Sequence, residues 1–395
     1  MTQIYNAPNA APSSIGTQFN THYWDRKSLI DIAEKMVFSP LADVRWMPMH
    51  YGKELKVYYY VPLLDDRNVN DQGIDASGVA IVDGNLYGSS KDTGAITARM
   101  PTLNEEGGRV NRVGFTRIER SGTLSEYGFF ADFTKDSFTF DTDSDLYGHM
   151  SREMLTGANK ITEDLLQLDL LAAAGTVVFT GTATSDATMT GEGADASVVT
   201  YQDLKKLGIV LDDNLTPKNT KMIKGSRMTD TLTINSARLM YVGSELTITL
   251  ENMVDGLGNP AFIPVRKYAD ATNVMTGELG SIADFRIIVV PDMMRFEGAG
   301  AAVGTNPGYS ETGGNYDIFP MLVVGSESFA TVGLQSSGKK KGKQKFSIIV
   351  KKPGPEMATI DDPYGKIGFS SISFWHGFIA LRPERLALVK TLAGE

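Results

Sequence analysis

The stretch from Asp141 to Ala174 constrains this chain more than any other. Leu146, Met150, Met154, Ala158, Ile161, Leu165, Leu168 and Ala172 recur there at spacings of three and four residues. That is one face of a 3.6-residue helix. Thr142 and Asp145 stand three apart just before the run, the spacing of a capping box. Gly175 follows, and Thr-Val-Val-Phe after it reads as a strand. The spacing therefore predicts one unbroken amphipathic helix over 141–174. At ~1.5 Å per residue, about 30 residues make a rod of roughly 45 Å, against an ordinary helix of ~11–12 residues. A rod of that length must lie along other elements, and the segments on both sides of it are β-rich.

The chain has 395 residues, 42% of them hydrophobic and 22% charged, a balance that predicts packed globular structure rather than disorder. Its length allows two or three domains, or one large core with excursions. A net charge of −9 opposes general adhesion to nucleic acid, which needs a basic surface, but not enclosure of DNA without gripping it. The chain has no cysteine, so neither a disulfide framework nor a thiolate metal site is expected. The first 16 residues lack an apolar core, so no signal peptide is expected. No apolar run reaches the ~18 residues of a membrane span. The best candidate, 165–178, is broken by Gln167 and Asp169.

Residues 1–21 are rich in Asn, Pro, Ser and Gly and read as a flexible arm. Residues 22–38 carry a short helix, with Leu29, Ile32, Ala33 and Met36 on one face. Leu55, Val57, Tyr59 and Val61 alternate with Lys56, Tyr58 and Tyr60 in a two-faced strand closed by Pro62. Residues 63–108 are polar and rich in Gly, Asp and Asn, and a second strand pattern returns near 110–118. Two strands flanking so long a polar excursion suit an arm that crosses a subunit boundary better than the inside of a compact monomer. Beyond the long helix, 180–198 reads as a connector. Residues 200–335 mix short helices at 201–211 and 244–253 with strands at 285–290 and 321–324, and a Gly-rich loop spans 298–314. Strand patterns follow at 346–350 and 367–381.

The chemical motifs are weak. Gly333 to Lys340 reads Gly-x-x-x-x-Gly-Lys-Lys, without the Ser or Thr that a phosphate-binding loop needs for Mg²⁺, and it leads into a strand rather than a helix. Gly191-Glu-Gly193-Ala-Asp-Ala196 matches Gly-x-Gly-x-x-Ala, but polar residues separate it from the strand it should follow. Asp141, Asp143 and Asp145 mimic the start of a calcium loop. Leu146 then stands where Gly is needed and Arg152 where Glu is needed, so the carboxylates read as helix N-terminal charges. His22, His50, His149 and His376 are scattered singly and form no ligand pair. No carboxylate spacing nominates a general acid/base couple. No catalytic residue, metal ligand or cofactor site is expected.

Two charged stretches are candidates for contact with partners. Arg109, Arg112, Arg117 and Arg120, with Glu105, Glu106 and Glu119, suit either a solvated strand or an interface rim whose charges set register. Lys339, Lys340, Lys341, Lys343 and Lys345, followed by Lys351 and Lys352, form a basic loop that could solvate freely, meet phosphate or meet a neighbour's carboxylates.

Four segments, in order, resemble a known family. Leu124-Ser-Glu-Tyr-Gly-Phe-Phe-Ala-Asp-Phe-Thr and Phe140-Asp141 run into the long helix. Ser236-Ala-Arg-Leu-Met-Tyr-Val-Gly-Ser-Glu carries Val242-Gly243 where His-Pro is usual. Gly277-Glu-Leu-Gly-Ser-Ile-Ala-Asp-Phe-Arg-Ile-Ile follows. Asp362-Pro-Tyr-Gly-Lys-Ile-Gly-Phe-Ser-Ser-Ile-Ser-Phe-Trp closes the series, its aromatics displaced to Phe369 and Phe374-Trp375. Together they resemble the major capsid proteins of tailed bacteriophages with the Hong Kong 97-type fold, and within them the podophage branch typified by coliphage N-four. The resemblance implies an N-terminal arm and short helix (1–53), an extended two-stranded loop (54–120), a peripheral domain with the spine helix (121–194 and 336–395) and an axial domain (195–335). It implies hexamers and pentamers closing into an icosahedral head around double-stranded DNA, with a portal, a scaffold and decoration proteins as partners, no membrane, and assembly in the host bacterial cytoplasm. An α+β enzyme or ligand-binding protein, with 298–314 as a lid, and a non-viral nanocompartment shell of the same fold are the alternatives.

Overall fold

The structure is a computed structural model that describes residues 37–47, 50–60, 116–140, 146–193, 196–218, 237–268, 277–306, 308–334 and 346–394. It divides into two compact units, residues 53–123 and the remainder. In the first, β2 (Glu54–Tyr60) pairs antiparallel with the opening residues of β3 (Arg117–Thr134), Tyr60 opposite Arg117 and Glu54 opposite Thr123. The expected strand at 55–61 is β2, and its exposure alternates residue by residue. The strand expected near 110–118 is found at 117–134, and residues 110–115 lie outside the described residues.

The larger unit holds two large sheets and a small two-stranded one of β9 (Glu311–Thr312) and β10 (Asn315–Tyr316). In the first, β14 (Ile367–Ala380) is the central strand. It pairs with β3 from Leu124 to Thr134 on one side, and with β13 (Phe346–Lys351) and β12 (Phe329–Leu334) on the other. The strand β1 (Asp43–Met47) runs parallel to β12. Alternation along β14 from Ile367 to His376 buries Ile372, Phe374 and His376 on one face, as a sheet covered on one side requires.

The second sheet has seven strands. In spatial order they are β4 (Thr176–Phe179), β15 (Leu386–Thr391), β11 (Phe319–Val324), β5 (Arg238–Val242), β8 (Phe285–Val289), β7 (Glu278–Ile282) and β6 (Phe262–Pro264). Its central strands are largely apolar because both faces are covered, and their charged residues Arg238, Arg286 and Lys390 are paired with Asp212, Glu278 and Asp186. One face, including Met240, Val242, Ile287, Met321, Val323 and Val389, packs on Leu204, Leu207 and Leu211 and on Leu246 and Leu250. The first three lie on the helix Tyr201–Asp213, and Leu250 lies on the short helix Thr247–Glu251. The region expected as one helix at 244–253 is a 3-10 turn, Ser244–Leu246, followed by that short helix. Strand pairing also crosses the boundaries expected at 194/195 and 335/336. Both β4 and β15 belong to this second sheet, whereas β12 belongs to the first.

We number the α-helices in chain order: α1 (Lys135–Phe140), α2 (Leu146–Ala173), α3 (Tyr201–Asp213) and α4 (Thr247–Glu251). The long helix is α2, and Asp141 to Asp145, with the capping pair and the calcium-like carboxylates, lie outside the described residues. Its apolar stripe does not keep one angle. Met154 and Ala158 in the first half, with Met150 and, past the midpoint, Leu165, pack against Ile372, Phe374 and Phe129 of the first sheet. The second half places Leu166 and Leu170 against Leu239, Tyr241, Ile288, Leu322 and Leu386 of the second. At 3.6 residues per turn the buried face shifts by about a third of a turn between these halves. Ile161 and Leu168, expected on the core face, are therefore 37% and 53% exposed in the isolated chain. The side chain of Leu146 lies outside the described residues. Gly175 ends the helix at a close approach: its N–H donates to the carbonyl of Pro383 at 3.0 Å, and a Cβ there would come within 2.6 Å of that carbonyl.

Polar contacts fix α2 along its length. The Glu163 carboxylate accepts from the N–H groups of Phe38 (3.0 Å) and Ser39 (3.1 Å), which open the 3-10 turn Ser39–Leu41. These are orphan donors of the kind found at helix starts. His376 Nε2 lies 3.0 Å from Asp169 Oδ2, and Lys160 meets Asp292 at 3.4 Å. Of the helix expected at 22–38, only Val37 and Phe38 are described; Phe38 is buried and packs on Tyr241.

Candidate assembly surface

The two-stranded unit presents one exposed face made of Glu54, Lys56, Tyr58 and Tyr60 from β2 and Arg117, Glu119, Ser121 and Thr123 from β3. Arg117 donates to Glu119 and stands over the Tyr58 ring, 5.2 Å from its centroid. Tyr58 and Tyr60 pack edge to face at 5.7 Å. Arg120 points the other way, half-buried on the face of Leu55, Val57 and Ile118, and its Nε is buried without a hydrogen-bond partner. The structure thus separates two arginines that the sequence reading grouped. Arg109, Arg112, Glu105 and Glu106 lie outside the described residues, as do Lys339, Lys340, Lys341, Lys343 and Lys345. Tyr and Arg on a preformed frame are the residue types enriched at protein interfaces.

The near-miss motifs have packing explanations. Gly333 sits in β12 opposite Trp46, and a Cβ there would meet the indole ring at 2.7 Å. Gly191 lies against the rings of Tyr309 and Tyr316, where a side chain would collide. Glu192, between the two glycines, fastens the loop expected as a lid. Its carboxylate accepts from the N–H groups of Gly304 (3.0 Å) and Asn306 (2.8 Å) and from the hydroxyls of Thr305 (2.8 Å) and Tyr316 (2.8 Å). These bonds, led by that of Asn306, hold its pKa down at about 2 against an ordinary 4.5. Beside it Tyr316, pushed up to about 12 by burial and by Glu192, closes a small apolar cluster with Met189, Ile318 and Leu392. The cation of Lys390 meets Asp186 at 2.7 and 2.8 Å and stands 4.5 Å over the Phe296 ring.

A second group is buried at the edge of the second sheet. Arg286 pairs with Glu278, both almost fully enclosed, and Tyr268 donates to the same carboxylate at 2.8 Å. Burial, with that bond, raises the Tyr268 pKa. Arg238 donates to Asp212 at 2.6 Å and to the carbonyl of Thr216, which lowers the Asp212 pKa. The sequence reading missed Glu192, Glu278 and Arg286. Only the alternation Glu278-x-x-x-Ile282 against Phe285-Arg286-Ile287 hints that an acid and an arginine share one face of a hairpin.

Among the described residues, no group of three or more His, Cys, Asp or Glu side chains is arranged to hold a metal ion. His22 is outside them, and His50, His149 and His376 stand apart. No described helix is long and apolar enough to cross a membrane.

The profile of the phage capsid protein family matches residues 118–391. The chain belongs to that family. It is 53% identical over 392 residues to the major capsid protein of Pseudomonas phage KPP21, covering 98% of this chain and 97% of the relative. Solved phage capsids share the fold at low identity. The capsid of Ralstonia phage GP4 superposes with a TM-score of 0.58 at 13% identity, covering 98% of this chain and 99% of that one. The capsid of cyanophage Pam1 gives 0.51 at 14%, covering 98% and 100%. The architecture is the Hong Kong 97-type phage capsid fold, α+β in class. Within it, α2 is the spine helix.

Proposed function

We propose that this chain is a major capsid protein. Its copies assemble as hexamers and pentamers into an icosahedral phage head that encloses double-stranded DNA, and it resides in the virion. The observation that carries the reading is the 53% identity, over nearly the whole of both chains, to a protein named for that role. The structural features agree with it. A long helix backs two sheets, a two-stranded unit forms a body of its own, and the net charge of −9 suits a container that does not grip its DNA.

Within this reading, residues 1–53 are the N-terminal arm and short helix, and 54–120 form the extended loop that reaches a neighbour. Residues 121–194 and 336–395 supply most of the peripheral domain and 195–335 most of the axial domain, with β4 and β15 lent to the axial sheet and β12 to the peripheral one. The Arg117 and Tyr58 face is an inter-subunit contact, joined by Arg109, Arg112, Glu105 and Glu106 of the same loop, while Arg120 meets a neighbour from the opposite face of the ribbon. The podophage, coliphage N-four-like branch is supported by the four ordered segments, and with it come a portal, a scaffold, possible decoration proteins and assembly in the host cytoplasm. The protein acts as a structural component rather than an enzyme.

Sedimentation and cryo-electron microscopy of the purified full chain test the proposal. Capsomer rings or closed shells are expected. A protein that stays strictly monomeric at high concentration overturns it.

A further inference from the structure

The loop that Glu192 fastens is shaped to hold an anion. Glu192 Oε1 accepts from the N–H groups of Gly304 and Asn306 at 3.0 and 2.8 Å, and Oε2 accepts from the Thr305 hydroxyl at 2.8 Å. The Tyr316 hydroxyl lies 2.8 Å from Oε1 and 2.8 Å from the Asn306 carbonyl, so its single proton serves one or the other. Three neutral donors from three consecutive residues thus converge on one carboxylate. Backbone N–H groups gathered in a turn in this way form an anion-binding concavity. Only hydrogen bonds hold the Glu192 pKa down, with no cation contributing.

The frame of the loop has supports that do not involve the carboxylate. Asn306 Nδ2 donates to the Gly191 carbonyl at 2.8 Å. Val303 N–H donates to the Gly314 carbonyl and Ala301 N–H to the Met189 carbonyl, each at 2.9 Å. A Cβ on Gly304 would stand 3.2 Å from Glu192 Oε1, tighter than an ordinary contact, so glycine there lets an anion approach the N–H groups closely. Gly304, Thr305 and Asn306 are all exposed, so the donors are open to solvent once the carboxylate is withdrawn.

We propose that residues 304–306 form a binding site for a small oxyanion, a carboxylate or a phosphate, which the chain keeps closed with its own Glu192. Glu192 acts as an internal competitor at the high effective concentration of a tethered ligand. A free anion enters the parent chain only by displacing it. The site lies within one subunit and does not depend on assembly or on the capsid reading.

Chemical rescue in the full chain tests it. In Glu192→Ala the amide hydrogens of Gly304 and Asn306 should exchange fast at neutral pH. Added sodium formate, and in a separate arm sodium phosphate, should slow them again in a saturable way. The slowing should reach about tenfold when the anion stands at roughly ten times its dissociation constant. Sodium chloride at the same ionic strength should not slow them. Rescue by either anion supports the site, and the arm that works names the ligand class. Glu192→Gln keeps the concavity filled with a neutral amide, so its fast exchange should respond to neither anion. Glu192→Ser gives the same test as the alanine variant if that one fails to fold. The proposal is overturned by fast exchange that neither anion slows, by exchange already as slow as in the parent, or by equal slowing in the glutamine variant.

Discussion

Glu192 shows how one carboxylate can hold a loop that sequence alone leaves loose. Four donors converge on it from Gly304, Thr305, Asn306 and Tyr316. Its pKa is about 2 when folded against an ordinary 4.5. The stabilisation is therefore complete above about pH 4.5 and is lost as the pH falls through about 2. Hydrogen exchange of Gly304 and Asn306, corrected for intrinsic rates, should stay slow at pH 5 and quicken towards pH 2. In Glu192→Gln it should already be fast at neutral pH, with the global fold retained. The Glu278 and Arg286 pair behaves differently because it is buried. Removing one partner strands the other charge in the core. Arg286→Ala should lower unfolding stability by about 3–5 kcal/mol, read from the denaturant midpoint at neutral pH.

At the scale of elements, α2 is one helix serving two sheets. Leu166 and Leu170 are fully buried on the second sheet, whereas Leu168 between them faces outward. Truncating Leu166→Ala should cost about 2–5 kcal/mol, since a core cavity follows. Truncating Leu168→Ala should change the stability of the isolated subunit by less than about 0.5 kcal/mol. Chemical denaturation of both variants reads the difference, and equal losses would restore the uniform stripe. At the helix end, Gly175→Ala should destabilise as well, because the added methyl meets the Pro383 carbonyl at 2.6 Å.

At the scale of the whole molecule, the ribbon's arginines are the contacts proposed between subunits, and a closed shell would repeat each of them in every copy. Arg117 is already paired with Glu119 and stacked on Tyr58, so its intermolecular contribution adds to an existing local one. Exposed pairs contribute only ~0–1 kcal/mol each, but repetition multiplies small terms. Reversing Arg112→Glu with Arg117→Glu should leave a folded subunit that fails to close shells. Parent assembly should weaken as salt rises. Sedimentation at low and high salt, parent beside variant, measures both effects.

Periodicity and turn chemistry are local, and they made the spine helix, β2, α3, β8 and β14 legible. Residue order also carried the family resemblance. Exposed and half-buried residues alternate along β2 because only one of its faces is covered, so its pattern could be read directly. By contrast, β15 and β5 are buried along their whole length and mostly apolar, and a mostly apolar run does not say which strand it will join. That β15 pairs with β11 and β4, and β12 with β14 and β1, was decided by long-range register. The turn of the α2 stripe had the same origin. A helix pattern records which residues are apolar, but not that the first half meets one sheet and the second half another. The Glu192 clasp likewise joins residues more than a hundred positions apart. The sequence determined the elements and the family, through short-range physics. The tertiary structure alone decided which carboxylates and which helix faces became buried, because burial depends on what lies opposite.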